Sequence, residues 1–491
     1  MTLDTDDTTH RTTTSPAASP ALIPWLPRGL SMAIAFMLLV TMSEIAFFMP
    51  VNLYGPMGAD LGLAPSAVSW AILASAIASA VSTPLIARLG DILGHRRVLV
   101  GTLVLVVIGW FVSAAALTAP LLLAGRFLTG FGNATAALTL AIVARHLTQP
   151  DQRKAIAINI AGQATATSVG FILSGALLTL GFSWRIAFAA GGTLLLACFV
   201  AVLLLVPKVD QPRTRVPLRD YDIPAIGLLG VGLAALTIAL NQVLVWGSGS
   251  PEFLFTLALG VVCIAAWIGW EFRAPNPLVD LRIAFSRKLW PAFTQFLFST
   301  LATLTLFSLV LTFMMTPAET GYGFGLSPVM AACVMIPSSL FGWLAARLTP
   351  SLLGRVTART GILLPGAGIF LTYVFFYFFH GSIVEFVIVT ALFGYFVHAL
   401  VIASTSLIAA EAPKDRAAAT TGLYIVFASI GQALGAALYG LALTAYADPA
   451  TGAPTVDSYQ VAFGMLVGAT LCGLLVALFI PRGIRFAQVS H

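Results

Sequence analysis

Three charged side chains stand out within long apolar runs of this sequence: Glu44, Arg126 and Glu385. At the centre of a bilayer such a group costs roughly 2.5–3.5 kcal/mol on insertion scales, so it marks a function or a buried partner. Glu44 lies near the middle of the first run, Arg126 within the fourth and Glu385 near the end of a late one. A carboxyl group surrounded by hydrocarbon can hold a proton as well as release it, and once ionised it attracts a cation. Glu44 is therefore the leading candidate for proton exchange, against the plainer reading of a buried acid bonded to polar neighbours. Thr41 precedes it by one helical turn and shares its face. Arg126, Gly130, Asn133 and Ala137 recur at i, i+4, i+7 and i+11, a small polar face suited to line a cavity. Asn159, Gln163, Ala166, Gly170 and Ser174 form a second such face, where small residues let helices approach closely. His398 lies deep in a run and either titrates during a cycle or is a hydrogen-bonded core residue. Glu385 is either a vestibule charge or a side chain that reaches the interface.

A different cluster lies between two runs. Residues 84–101 hold Arg88, Asp91, His95, Arg96 and Arg97, in a chain of which only 9% is charged. Gly90 and Gly94 are expected to supply positive φ in a tight reversal. The stretch reads as a short polar hairpin joining two membrane helices.

The elements that must position these residues follow from composition. Of 491 residues, 59% are hydrophobic, and the mean hydropathy is +0.96. A soluble domain is nearer 45–50% apolar and 25% charged, so the chain is a multi-pass membrane protein of the all-α class. Its apolar runs are continuous rather than alternating, which excludes barrel strands. Fourteen runs between residues 29 and 480 approach the ~20 residues a helix needs to span the hydrocarbon. Cys198, Cys263, Cys333 and Cys472 are far apart within runs, so neither a disulfide frame nor a metal site is expected. No phosphate-binding glycine loop is present, so ATP is not expected as the energy source, and no cofactor or enzyme motif is found.

With the N-terminus inside, every Lys and Arg except Arg126 and Arg185 falls in an inner loop or a tail. That sorting predicts a cytoplasmic-membrane protein with both ends cytoplasmic. It also accounts for the pI of 9.3 without nucleic acid as a partner.

The chain repeats itself. Ala87-Arg88-Leu89 recurs as Ala346-Arg347-Leu348, and the stretch from Ser168 to Leu177 recurs from Ser429 to Leu438. The two offsets are 259 and 261, which predicts two related six-helix halves. The expected organisation is a tail (1–28), a six-helix bundle (29–207) and a linker with two extra membrane helices (208–288). A second six-helix bundle (289–481) and a tail (482–491) complete it. In the second copy of the hairpin Pro350 replaces the acid, so it is expected to keep the shape without the chemistry.

Leu89, Gly90, Asp91, Gly94, Arg96 and Arg97 resemble the loop between the second and third helices of the major facilitator superfamily. The 6+2+6 arrangement resembles that superfamily's fourteen-helix drug:proton antiporter branch. Further similar segments run from Ala124 to Gly132, from Ser183 to Arg185 and from Asn276 to Arg282. The resemblance implies a major facilitator fold and proton-coupled export of small amphipathic or cationic compounds, with protons, substrate and lipid as partners. It implies proton coupling at Glu44 and Arg126 and a cytoplasmic gate formed by Arg88, Gly90, Asp91, Gly94, Arg96 and Arg97. Thr41, Asn133, Asn159, Gln163, Glu385 and His398 are then cavity candidates. In the family the first-helix acid falls some nine residues before a Pro. Counting back from Pro50 reaches Thr41, one turn from Glu44. In the fifth helix Phe171 stands where the antiporters carry Pro, which keeps an uptake symporter open. A non-transporting receptor or scaffold is the remaining alternative.

The charge sorting has a direct test. A Cys introduced at Gly249 should react with an impermeant thiol reagent from outside intact cells, and one at Thr214 should not. Labelling at position 214 from outside would overturn the orientation.

Overall fold

The computed structural model describes residues 38–39, 41–45, 48–63, 65–136, 138–139, 142, 149–205, 222–275, 277, 280–411, 417–448 and 454–484. Side chains at 65–69, 91, 149–161, 163–164, 205, 223, 304, 409, 417–422 and 425 are not included. Among the described residues there is no β-strand. A 3-10 turn, Met49–Leu53, leads into α1 (Tyr54–Leu61). Then follow α2 (Pro65–Leu93), α3 (His95–Ala114), α4 (Ala119–Gly130), α5 (Gln149–Thr179), α6 (Trp184–Leu205), α7 (Ile223–Trp246) and α8 (Pro251–Arg273). The remainder are α9 (Trp290–Met315), α10 (Ile336–Leu353), α11 (Ala358–Phe378), α12 (Ile383–Glu411), α13 (Ala417–Ala445) and α14 (Val456–Ala477). Eleven helical segments among the described residues are long and apolar enough to cross a membrane.

Starting signals are written into the sequence. Pro occupies the first turn of α4, α7, α8, α9 and α10, where its missing N–H costs nothing. The Asp222 and Ser250 side chains accept from the Ala225 and Phe253 amides and cap α7 and α8. Thr455 and Ser458 form a reciprocal capping box at the start of α14.

The hairpin differs from expectation. α2 runs to Leu93 and α3 starts at His95, so the reversal is the single residue Gly94, at φ 97°. Gly90 supplies no positive φ. It is a buried helical residue whose missing Cβ leaves room for Leu138 and His95, so its smallness serves close packing. Nor is the shape kept in the second copy, where Gly354 stays in the right-handed helical region at φ −63°. Pro350 lies inside α10, and the chain turns over the residues that follow Leu353.

The two halves of the sequence meet along two seams. In one, α2 packs on α13 and the Ser79 and Ser429 hydroxyls lie 3.1 Å apart. In the other, α5 packs on α10 and the short helix before it, Pro328–Cys333, with the Ser168 and Ser339 hydroxyls 2.6 Å apart. Ser168 and Ser429 differ by 261 positions, and Ser79 and Ser339 by 260, close to the offset of the sequence repeat. The seams are two copies of one contact. Glycine also sits where the backbones come close across the second seam, Gly175 against Pro328, and within each half, Gly170 against Ile45 and Gly431 against Leu297. Four rings, Phe48, Phe171, Phe307 and Phe393, join the halves, with Phe307 at 5.4–5.7 Å from the other three. Phe171, at the position where a Pro was expected, is fully buried among them.

α7 and α8 pack on each other at Gly232 and Gly260. α7 also lies against α2 and α13, where Leu233 joins Ala76, Ala80 and Ala433. Asn241 of α7 is buried.

At the start of α6, Arg185 pairs with Asp60 of α1 at 2.5 Å, and the Trp184 indole donates to the same carboxylate oxygen at 3.2 Å. Arg185 also donates to the Ala116 carbonyl and lies over the Trp184 ring. One Arg therefore ties α1, α6 and the turn after α3. The hydrogen bond from Arg185 holds the Asp60 carboxyl below the usual carboxylate range, and the Trp184 bond adds to this. A depressed carboxyl pKa stabilises the fold above the unfolded value of ~3.9 and loses that contribution as pH falls through the folded value. Wild type should therefore unfold at higher temperature than Asp60→Asn at pH 7, with the gap closing below about pH 4. A gap independent of pH, measured by thermal unfolding in detergent, would remove the ion pair as its cause.

Candidate functional site

Arg126 is the centre of the site. α4 carries it, and its residue is 2% exposed. The helix tightens into a 3-10 turn, Phe131–Asn133, immediately after Gly130, which lies against the Ser75 carbonyl of α2. That close approach sets the guanidinium beside α2. Its Nη2 donates to Ser75 Oγ at 3.3 Å, and the Tyr54 hydroxyl lies within interaction distance. The Phe188 ring centre is 5.8 Å from its Cζ. Its Nε has no hydrogen-bond partner, and no carboxylate pairs with it among the described residues.

Two cavities share Arg126 and Ser75. The first is a small cavity lined by Ser43, Trp110, Thr129 and Asn133 among others. The second, smaller still, adds Val51, Tyr54, Ile72, Ala76 and Ser308. Ser308 comes from α9, so this cavity lies between the two halves of the sequence. Its residue is 1% exposed, and its hydroxyl has no partner among the described residues.

Arg126, Gly130 and Asn133 line one cavity, as their spacing predicts; Ala137 lies outside the described residues. Asn133 Nδ2 donates to Ser79 Oγ at 2.8 Å and to Gln432 Oε1 at 3.4 Å, so it touches the seam between α2 and α13. Glu44 is half-buried in the helical stretch 41–45. It neither lines the described cavities nor contacts Arg126, although its neighbour Ser43 lines the first. Thr41 keeps a buried hydroxyl without a partner. The side chains of Asp91, Asn159 and Gln163 lie outside the described ones. Arg88 is half-buried, Arg97 is exposed, and Arg96 donates to the Leu203 carbonyl at 3.2 Å.

Two candidates sit apart from the cavities. Glu385 occupies the first turn of α12 and accepts from the Ser382 amide at 2.9 Å, a helix-start role. His398 is held 2.8 Å from the Gly394 carbonyl through Nδ1, the local bond of a packed histidine. Sequence reasoning missed Asn52, Tyr54, Ser75 and Ser308. Asn52 is fully buried, donating to the Phe171 carbonyl and to Ser174 Oγ. Neutral hydroxyls and amides give no hydropathy signal, so only the fold distinguishes them from ordinary core positions.

These features define a polytopic, all-helical membrane protein with polar cavities at a boundary between chain halves. Residues 34–436 match the Major Facilitator Superfamily, and the chain belongs to that family of transporters; it is not an enzyme. It is 27% identical over 367 residues to the uridine/deoxyuridine transporter of Lactococcus lactis subsp. cremoris, covering 68% of this chain and 74% of that one. It is 28% identical over 279 residues to the cephamycin export protein CmcT of Amycolatopsis lactamdurans, covering 56% of this chain and 54% of that one. In fold it is similar to the crystal structure of the peptide transporter POT in complex with sulfate (TM-score 0.65, 16% identity). That likeness covers 95% of this chain and 98% of the other.

The contact beside Asn133 can be measured. A double-mutant cycle with Ser79→Ala and Ser429→Ala should give a coupling near ~0.6 kcal/mol, the mean for interhelical hydrogen bonds in membranes. A coupling of zero would show that the two hydroxyls do not bond across the seam.

Proposed function

We propose that the chain is a proton-coupled exporter of small amphipathic compounds. It would cross the cytoplasmic membrane fourteen times with both ends inside. Access would alternate by rocking of the bundles at 29–207 and 289–481, with α7 and α8 riding beside them. The observation that carries this is the second cavity, where Arg126 of one half faces Ser308 of the other. A site built from both halves is the arrangement that rocking opens to one side and then the other. Glu44 exchanges the proton, Arg126 responds to its charge, and Asp91 with Arg88, Arg96 and Arg97 latches the inner end. Similarity to the cephamycin export protein supports export. Similarity to the uridine/deoxyuridine transporter supports the second reading, proton-coupled uptake. The charge in the cavities is a guanidinium, which favours amphipathic over cationic cargo.

A compound panel in an efflux-deficient host identifies a substrate, and everted vesicles then measure its transport. Glu44→Gln keeps size and hydrogen bonding but cannot titrate. It should insert normally and lose at least ~10-fold of transport driven by a pH gradient, a barrier change of about 1.4 kcal/mol. Glu44→Asp should retain part of the activity. Undiminished transport by Glu44→Gln would place the proton elsewhere, and accumulation in the opposite direction would favour uptake.

A further inference from the structure

We infer that the cavity between Arg126 and Ser308 is a carboxylate-binding subsite, so that the cargo carries an acidic group on an apolar body. The inference rests on the transport reading for its physiological meaning but not for its test.

Four elements deliver the site. Tyr54 comes from α1, Ser75 from α2, Arg126 from α4 and Ser308 from α9. All four are buried. A buried cation without a counter-charge is strongly unfavourable, and proteins meet that cost by pairing it. Arg126 has no carboxylate partner among the described residues. Its described neighbours are neutral: a hydroxyl at 3.3 Å, the Tyr54 phenol and the Phe188 ring. Nε keeps its proton unshared. Across the cavity the Ser308 hydroxyl is also unshared, although its residue is 1% exposed. Among the described residues the site therefore offers a planar cation with an unshared N–H and an unshared hydroxyl, and no compensating anion. A carboxylate fits these donors, because a guanidinium and a carboxylate pair in parallel, charge-assisted hydrogen bonds. Val51, Ile72 and Ala76 supply apolar walls beside it, suited to the remainder of the molecule.

The placement in two halves adds a consequence. Arg126 and Ser308 reach the ligand from opposite sides of a boundary that must open during transport. A bound carboxylate favours the arrangement in which both donors reach it, and its departure frees them.

Three indoles that differ only in head group test this: indole-3-acetate, indole-3-acetamide and tryptamine. Binding to the purified full-length protein in detergent is measured at pH 7 by titration calorimetry, without any gradient. The acid should bind at least tenfold more tightly than the amide, and the amine most weakly. Arg126→Gln should remove the acid's advantage over the amide. Arg126→Lys should retain part of the preference, which separates lost charge from lost folding. Ser308→Ala should weaken the acid severalfold. Equal binding of acid and amide, preference for the amine, failure of all three to bind at millimolar concentration, or an acid preference that survives Arg126→Gln would each overturn the proposal. These outcomes are independent of the vesicle assay. A protein that binds acids but moves nothing with protons fails only the transport reading, and one that exports with protons but ignores head-group charge fails only this one.

Discussion

A buried guanidinium with no carboxylate paired to it among the described residues is the constraint on which the middle of this protein depends. Arg126 can stay in place only because Gly130, one turn later, brings α4 against the Ser75 backbone. A side chain at 130 would push the helices apart and separate the guanidinium from Ser75 Oγ. Tyr54 and Phe188 enclose it on other sides. The packing of α1, α2, α4 and α6 is thus arranged around a charge that the helices alone would disfavour.

The second half of the chain shows the same architecture without that charge. Gly394 lies against the Ser338 carbonyl as Gly130 lies against that of Ser75. Applying that register, the position matching Arg126 is Thr390. Its hydroxyl donates to the Val334 carbonyl at 2.9 Å and is satisfied locally. The duplicated scaffold therefore holds a buried cation on one side and a neutral hydroxyl on the other. The hairpins diverge likewise: Gly94 reverses the chain in one residue, whereas the second copy turns over the residues that follow Leu353.

Much of the fold was legible because membrane helices announce themselves by length and apolarity, and because their starts carry Pro and capping side chains. The repeat was legible too, and it reappears as the paired serine contacts of the two seams. The face of Arg126, Gly130 and Asn133 followed from helical spacing alone. What escaped was the partner across the cavity. Ser308 is one small hydroxyl in an apolar helix, and its meaning depends on which helix of the other half it faces. Glu385 and His398 each allowed two readings from the sequence, and only the fold shows their local bonds. Their charge or ring suggested a vestibule or a cycle, but each makes a bond within its own helix end or turn.

The single-residue joint at Gly94 makes α2 and α3 a mechanical unit. The Val98 amide bonds to the Gly94 carbonyl and the Gly94 amide to that of Gly90, so hydrogen bonding passes through the bend almost unbroken. Such a joint has no slack. A tilt of α2 at its seam with α13 is passed to α3 as torque rather than absorbed by a loop. One added residue at the bend would rotate α3 by about 100° and turn its packed face outward. Length at this position is therefore as strictly specified as residue type.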